Sequence, residues 1–502
     1  MTRPAPLAHP HGGLWQAIAD CRRRLDLSPD SIEVRLELAQ LMCRAGARGK
    51  ALDLIRAARS IAPTDVQARF AEASMLIELL RLDEACLALR ALLDDHPGHQ
   101  QALSALLYLL NLLPEQSSES IEKEHRERCA SRHGPATVSQ PAAAPRRPDA
   151  PLRVGLLSAD LREHPVGRFV ETLASHVDRT RISLHAFHNW SAPDQLTLRL
   201  QSLMSSFEQV DTDSDDALEE RLRNAGLDVL IDLSGHTLGH RLAVLARKPC
   251  PLQLSWLGYP SSTGLSAIDG RILDPVLLAG KVSSSEQAIV LPGHFACFGI
   301  PPDAPEPAPD TTRENVVFGS LHRLEKINRQ VIESWAYILR QAPQARLLIA
   351  RDQIDPARAA ELAQRFGALG VAAAQLQLQR LDDAPYWQLF NQIDVLLDSF
   401  PWSGHTLACE ALWMGVPVLT LFGQTVAGRL VSSVLHAIDH PEWISSDREE
   451  YCRKALALVA QGPRDQVRRR QLRAETGASR LMDATAFARD FSDALLSRCG
   501  RS

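Results

Sequence analysis

An array of paired helices followed by two α/β lobes, each on a parallel sheet, is the fold class this sequence predicts, and three observations predict it. Prolines recur at a fixed interval through the first hundred residues. From residue 152 short apolar runs alternate with helical stretches. A proline-rich break at 299–312 then divides those runs into two series. At about 100–200 residues per domain, a chain of 502 residues suits about three such units. Hydrophobic residues make up 45% and charged residues 23%, near the soluble globular average, which argues against wholesale disorder, a collagen-like rod and a membrane bundle. A formal charge of −5 leaves no global basic field for nucleic acid, so any phosphate recognition must be local.

The repeat is read first. Pro29, Pro63 and Pro97 lie 34 residues apart, the tetratricopeptide period. Ala39 and Ala73 keep the same interval, as do Ala51 and Ala85, at positions where antiparallel helices must approach closely. Segments such as SIEVRLELAQLMCRAG and GKALDLIRAARSIAP read as an amphipathic pair closed by a proline turn. The competing architecture is an ordinary helical bundle with evenly placed prolines; three residue classes sharing one period favour the array. With flanking helices at 14–25 and 101–113 it occupies residues 13–115, and it serves as a docking surface or spacer without chemistry of its own. Residues 116–150 follow as a polar helix and a proline- and alanine-rich linker.

The first α/β series, 151–305, contains RVGLLSAD, SLHAFHNW, LDVLIDLSG, LQLSWLGY and AIVLP; the second, 311–502, contains NVVFGSL, ARLLIAR, DVLLDSF and PVLTLF, with helices between. This alternation predicts two doubly wound, Rossmann-like lobes. Ligands in such sheets sit beyond the carboxyl ends of the strands, so the residues there are the candidates.

Four stretches qualify. In DVLLDSFPWSGHTLACEALWMGVPVLTLF (394–422) a strand ends, Ser403-Gly404-His405-Thr406 makes a small-residue turn, and an apolar helix starts. The first-turn N–H groups of that helix can hold a phosphate, and Glu410 one turn on can accept from a ribose diol. The same pattern also suits Ser403 or Thr406 as a plain cap, with Glu410 paired on the surface. In GSLHRLEKIN (319–328), Arg323 and Lys326 at i, i+3 suit either a diphosphate or a solvated basic turn. In SADLREHPVGRF (158–169), His164 before Pro165 sits in extended backbone at a strand end, where an imidazole can serve as a general base. DLSGHTLGHR (232–241) offers His236 and His240, yet no third ligand or cysteine accompanies them, so no metal is read there. His236, Tyr259 in SWLGYPSSTG (255–264) and Thr425 are further candidates.

The nine cysteines include no CxxC, so neither a zinc framework nor a disulfide scaffold is expected, and a reducing cytoplasm fits. The N-terminal MTRPAPLAHPHGGLWQ has no apolar core of a signal peptide, and no run of about 18 apolar residues suggests a membrane span.

Together, SADLREHPVGRF, DLSGHTLGHR through SWLGYPSSTG, GSLHRLEKIN and LLDSFPWSGHTLACEALWMGVPVLTL, in this order behind a tetratricopeptide array, resemble the SPINDLY/O-linked N-acetylglucosamine transferase family, glycosyltransferase family 41. The resemblance covers nearly the whole chain and implies two lobes of the GT-B type. It implies that Lys326 contacts the diphosphate of a nucleotide sugar, the co-substrate, with Arg323 nearby. Gly404, His405 and Thr406 fall on the nucleotide and phosphates, and Glu410 on the ribose. His164 matches the family's active-site histidine, once favoured as the base. The implied reaction is inverting transfer of a sugar, N-acetylglucosamine from its UDP conjugate, to Ser/Thr hydroxyls of proteins presented by the repeats, with no metal or other cofactor. Departures fall in the donor pocket: animal members carry glutamine near Arg323 and a second threonine near Leu407, and a further histidine where this chain reads ERLRNAG. They leave GDP-fucose or UDP-glucose as alternative donors, another acceptor, or an inactive scaffold, as competing readings.

Overall fold

The computed structural model describes residues 11–134, 150–279, 286–309, 313–383 and 385–501. The first ten residues, the expected linker over 135–149 and the end of the 299–312 break lie outside them. The chain divides into two compact units, residues 1–109 and 110–502.

In the first unit the helices His11–Leu27, Ile32–Arg44, Arg48–Ile61, Val66–Glu78 and Leu82–Asp95 pack in sequence, each on the next. Pro29, Pro63 and Pro97 occupy the turns between repeats. Ala39, Ala51, Ala73 and Ala85 are at most 1% exposed, as residues at a close helix crossing must be. The period extends to polar positions: the side chains of Ser31, Asp65 and His99 each accept the backbone N–H three residues on, at 3.3, 2.7 and 3.1 Å. It also extends to backbone conformation, because Gly46 and Leu80, again one repeat apart, both have positive φ, 78° and 56°. Buried Glu72 accepts from Arg56 at 3.1 Å and from Arg59, tying one helix pair to the next.

The second unit carries two parallel sheets. The first comprises β1 (Leu152–Ser158), β2 (Ile182–His188), β3 (Ser206–Gln209), β4 (Val229–Asp232), β5 (Leu252–Ser255), β6 (Gly270–Leu273) and β7 (Gln287–Val290), in the order β3-β2-β1-β4-β5-β6-β7. The second comprises β8 (Val317–Ser320), β9 (Arg346–Ala350), β10 (Leu376–Gln379), β11 (Val395–Leu397), β12 (Val418–Leu421) and β13 (Ile444–Ser445), in the order β10-β9-β8-β11-β12-β13. Both are doubly wound, with order reversing beside β1 and beside β8, which opens a crevice at the carboxyl ends of β1/β4 and β8/β11. The central strands are apolar on both faces because helices cover both. The sequence reading missed β3, β6, β10 and β13, which are only two to four residues long.

Two elements depart from the expected divisions. The helix Ser118–His133, expected within a connecting segment, packs into the first lobe: His125 reaches the Tyr259 hydroxyl at 2.7 Å, and the Cys129 thiol donates to the Thr263 carbonyl at 3.3 Å. The chain's end, expected with the second lobe, returns to the first. Phe298 N–H donates to Leu481 O at 2.9 Å, and Phe491 of helix Ala484–Arg498 lies 5.1 Å from the Trp256 ring. An apolar stripe of Phe487, Phe491 and Leu495, buried in this position, accounts for the return.

If the repeat depends on the small residues at its crossings, Ala51→Leu should destabilise the array by about 1–3 kcal/mol through overpacking. Chemical denaturation followed by circular dichroism would detect this, and unchanged stability would remove the close-packing account.

Candidate functional site

The site is assembled at the switch point of the second sheet. His322 follows β8 and Asp398 follows β11, and their side chains meet across the crevice with Nε2 3.0 Å from Oδ1. Both are buried, at 3% and 1% exposure. Asp398 also accepts the Gly404 N–H on Oδ1 at 2.8 Å and the Thr420 hydroxyl on Oδ2 at 2.6 Å. Burial pushes the His322 imidazole down toward neutrality, so it donates from Nε2 to Asp398, while Nδ1 faces the Ser320 hydroxyl at 2.9 Å. A Cβ at position 404 would lie 2.4 Å from His322 Nε2, so only glycine fits there.

Helix His405–Trp413 starts at that glycine without a side-chain cap. Ser403 is occupied elsewhere: its hydroxyl donates to Ala427 O at 2.9 Å and accepts from Val431 N at 3.3 Å, fastening helix Val426–Ala437 alongside. The capping alternative for Ser403 is thereby excluded. The first-turn N–H groups and the positive end of the helix dipole are presented at the crevice.

Arg323 and Lys326 diverge. Arg323 is exposed and lies 3.6 Å from Glu325. Lys326, ending the 3-10 turn Leu324–Lys326, points inward, donates to Ser403 O at 3.0 Å and lies 4.8 Å from the Trp402 ring centre. Burial pulls its ammonium down to about 8, although Asp398 and Glu325 favour the charged form. The cation is thus anchored to the residue before the helix start.

One turn into the helix, buried Glu410 accepts the Tyr386 hydroxyl at 2.5 Å. Burial pushes this carboxyl up to about 7, against the pull of the Tyr386 bond and the Arg168 charge. Tyr386 escaped the sequence reading because it sits on the short helix Tyr386–Asn391, outside every quoted motif. His405 packs its ring against three rings of the first lobe: Phe295 at 5.0 Å, Phe169 at 5.1 Å and His294 at 5.3 Å, the last nearly parallel at 11°. Burial drives the His405 pKa well below its ordinary value.

His164 lies on the first lobe and caps helix Pro165–His176, its Nδ1 accepting the Val166 N–H at 3.3 Å. Burial lowers its pKa, Asp160 opposes this, and the charges of Arg162 and Arg323 lower it further. The action of Arg323 on His164 sets the two candidates against each other across the lobes. With Nδ1 used as an acceptor, the neutral ring carries its proton on Nε2 and presents a donor there.

Of the remaining candidates, His236, Tyr259 and Thr425 are each hydrogen-bonded within the second unit. His236 Nε2 lies 2.9 Å from Thr263 O, and the Tyr259 hydroxyl contacts His125 Nε2 at 2.7 Å and the Asn111 amide at 2.9 Å. Thr425 caps helix Val426–Ala437 by accepting the Gly428 N–H at 3.1 Å. Thr406 stands half-buried in the first turn of the His405 helix. Among the described residues no group of three or more His, Cys, Asp or Glu is arranged to hold a metal, no helix is long and apolar enough to cross a membrane, and no disulfide joins any of the cysteines.

The raised Glu410 pKa carries a stability consequence. Between its unfolded value near 4.5 and about 7 the folded chain keeps a proton that the unfolded chain has released, so rising pH destabilises the fold across that window. The integrated loss is about 3 kcal/mol. Urea titrations at a series of pH values should show this slope in the native chain and not in Glu410→Gln; identical slopes would refute the assignment.

The sequence model of glycosyl transferase family 41 matches residues 90–293 and 309–491. The probable UDP-N-acetylglucosamine–peptide N-acetylglucosaminyltransferase SPINDLY of Solanum lycopersicum is 30% identical over 358 residues, 68% of this chain and 38% of that protein. The protein of the same name from Hordeum vulgare is 29% identical over 79% of this chain and 43% of its own length. The chain thus spans about two fifths of these curated relatives. A mutant of the Thermobaculum terrenum O-GlcNAc transferase superposes with a TM-score of 0.85 at 30% identity, covering 97% of this chain and 94% of that one. The helical array and paired α/β lobes are therefore a GT-B fold preceded by tetratricopeptide helices, and the chain belongs to glycosyl transferase family 41.

Proposed function

We propose that this chain is an inverting glycosyltransferase that moves N-acetylglucosamine from UDP-N-acetylglucosamine to Ser/Thr hydroxyls of polypeptides presented by the tetratricopeptide array, in the cytoplasm. The observation that carries the reading is the convergence on one helix start: the Lys326 ammonium is tied to Ser403 O, the first turn of helix His405–Trp413 is uncapped by any side chain, and Glu410 follows within the same helix. Cation, helix end and carboxylate in that order suit a diphosphate joined to a ribose. The names of the relatives, peptide N-acetylglucosaminyltransferases and an O-GlcNAc transferase, support the same donor and acceptor.

In this reaction the acceptor hydroxyl attacks the anomeric carbon opposite the diphosphate, the bond to the diphosphate breaks, and charge grows on the leaving oxygen. Lys326 and the helix end meet that charge, and no metal ion or organic cofactor is called on. His164 enters as a hydrogen-bond donor through Nε2 and orients the reacting groups. Arg323, exposed beside the crevice, adds positive potential along the donor's approach.

Calorimetric titration with UDP and with GDP tests the donor. UDP binding lost in Lys326→Ala is the expected result, with affinity falling as pH rises past about 8, where Lys326 loses its proton. Preference for GDP would redirect the donor to a GDP-sugar, and binding of neither would leave a scaffold protein. For His164, Gln keeps a donor near the Nε2 position, so His164→Gln should retain about ten-fold more transfer than His164→Ala; equal losses would restore the general-base role.

A further inference from the structure

Asp274 stands directly beyond the carboxyl end of β6 and is 1% exposed. Its Oδ1 accepts the N–H groups of Val276 at 3.0 Å and Leu277 at 2.9 Å, capping the single turn Pro275–Leu278. Its Oδ2 accepts two further donors from opposite directions. One is the Phe295 N–H at 3.1 Å, within the first lobe; the other is the Ser433 hydroxyl at 2.5 Å, on helix Val426–Ala437 of the second lobe. The same helix reaches across once more, since Arg429 Nη1 donates to Leu277 O at 3.1 Å. One short segment of the first lobe is therefore gripped at both ends by one helix of the second.

Both arms leading from this carboxylate end at His405. Through Phe295 N–H it fixes the segment whose rings, His294 and Phe295, lie against the His405 ring. Through Ser433 it fixes helix Val426–Ala437, which holds Ser403, and Ser403 both receives Lys326 and precedes the helix start. The ring contacts cannot set this register themselves. Stacked rings slide at little cost, and the Nε2 atoms of His294 and His405 are both buried without a hydrogen-bond partner, so neither contributes a directional bond across the seam. Asp274 and Arg429 do supply directional bonds there.

We infer that Asp274 is a positioning residue: by bonding Phe295 and Ser433 through one oxygen it sets the register of the two lobes, and so the placement of the Lys326–His405 helix start against the first lobe. Its effect on catalysis rests on the transferase reading; its effect on the seam does not.

Hydrogen exchange on the full-length chain separates the two. Ser433→Ala removes only the cross-lobe hydroxyl, and Asp274→Asn keeps an oxygen for Val276 and Leu277 while turning a donor toward Phe295 N–H. Both should accelerate exchange of amides in 292–298 and 403–408 by about ten-fold, with β1 unchanged, and Asp274→Asn should exceed Ser433→Ala. Exchange in both segments within two-fold of the native chain would overturn the inference. In the kinetic arm, UDP affinity should stay within two-fold, because its contacts lie on the second lobe, while kcat falls by about ten-fold or more. A parallel fall of UDP affinity and kcat would mark general loosening of the second lobe and also overturn it. If the native chain turns over no nucleotide sugar, the transferase reading falls, and the exchange comparison still decides the role of Asp274.

Discussion

A single buried carboxylate, Asp398, organises the second lobe. Removing a charge from water costs several kcal/mol unless hydrogen bonds replace the lost hydration, and here the His322 ring, the Gly404 N–H and the Thr420 hydroxyl do so. Each bond constrains a different element: the end of β8, the turn after β11, and β12. Because Gly404 N–H is bonded to Asp398 with His322 packed against its α-carbon, the chain can turn there only as glycine, and the next helix begins without a side-chain cap. Lys326 is then held to the carbonyl immediately before that helix. The carboxylate thereby places the cation and the helix end side by side.

Desolvation dominates the electrostatics of this region. It lowers the basicity of Lys326, His405, His322 and His164 and weakens the acidity of Glu410. A site tuned this way keeps its histidines neutral near pH 7, so they serve as hydrogen-bonding and stacking groups, and leaves Lys326 as the half-buried cation beside the helix end. Glu410 sits near its midpoint, shared with a tyrosine hydroxyl.

The repeat unit shows a different economy. Its period is written three ways at once: small residues at crossings, capping side chains at 31, 65 and 99, and left-handed backbone at 46 and 80. Leucine at the last of these positions shows that packing overrides local preference where glycine served one repeat earlier.

Period and alternation are local properties, and they were enough to predict the repeat array, both doubly wound lobes and the strand ends near which Arg323, Lys326, Gly404, His405 and Glu410 lie. What they could not predict was partnership across sequence distance. Tyr386 meets Glu410 only because the second lobe folds, and Phe169 and His294 meet His405, and Asp274 meets Ser433, only because two lobes fold against one another. The same limit misplaced the last helix, whose amphipathic stripe reads alike whichever lobe it covers, and hid the packing of helix Ser118–His133 against Tyr259. Side-chain type and spacing state what a residue can do; burial and the identity of its neighbours, which tertiary structure alone decides, state which of those things it does.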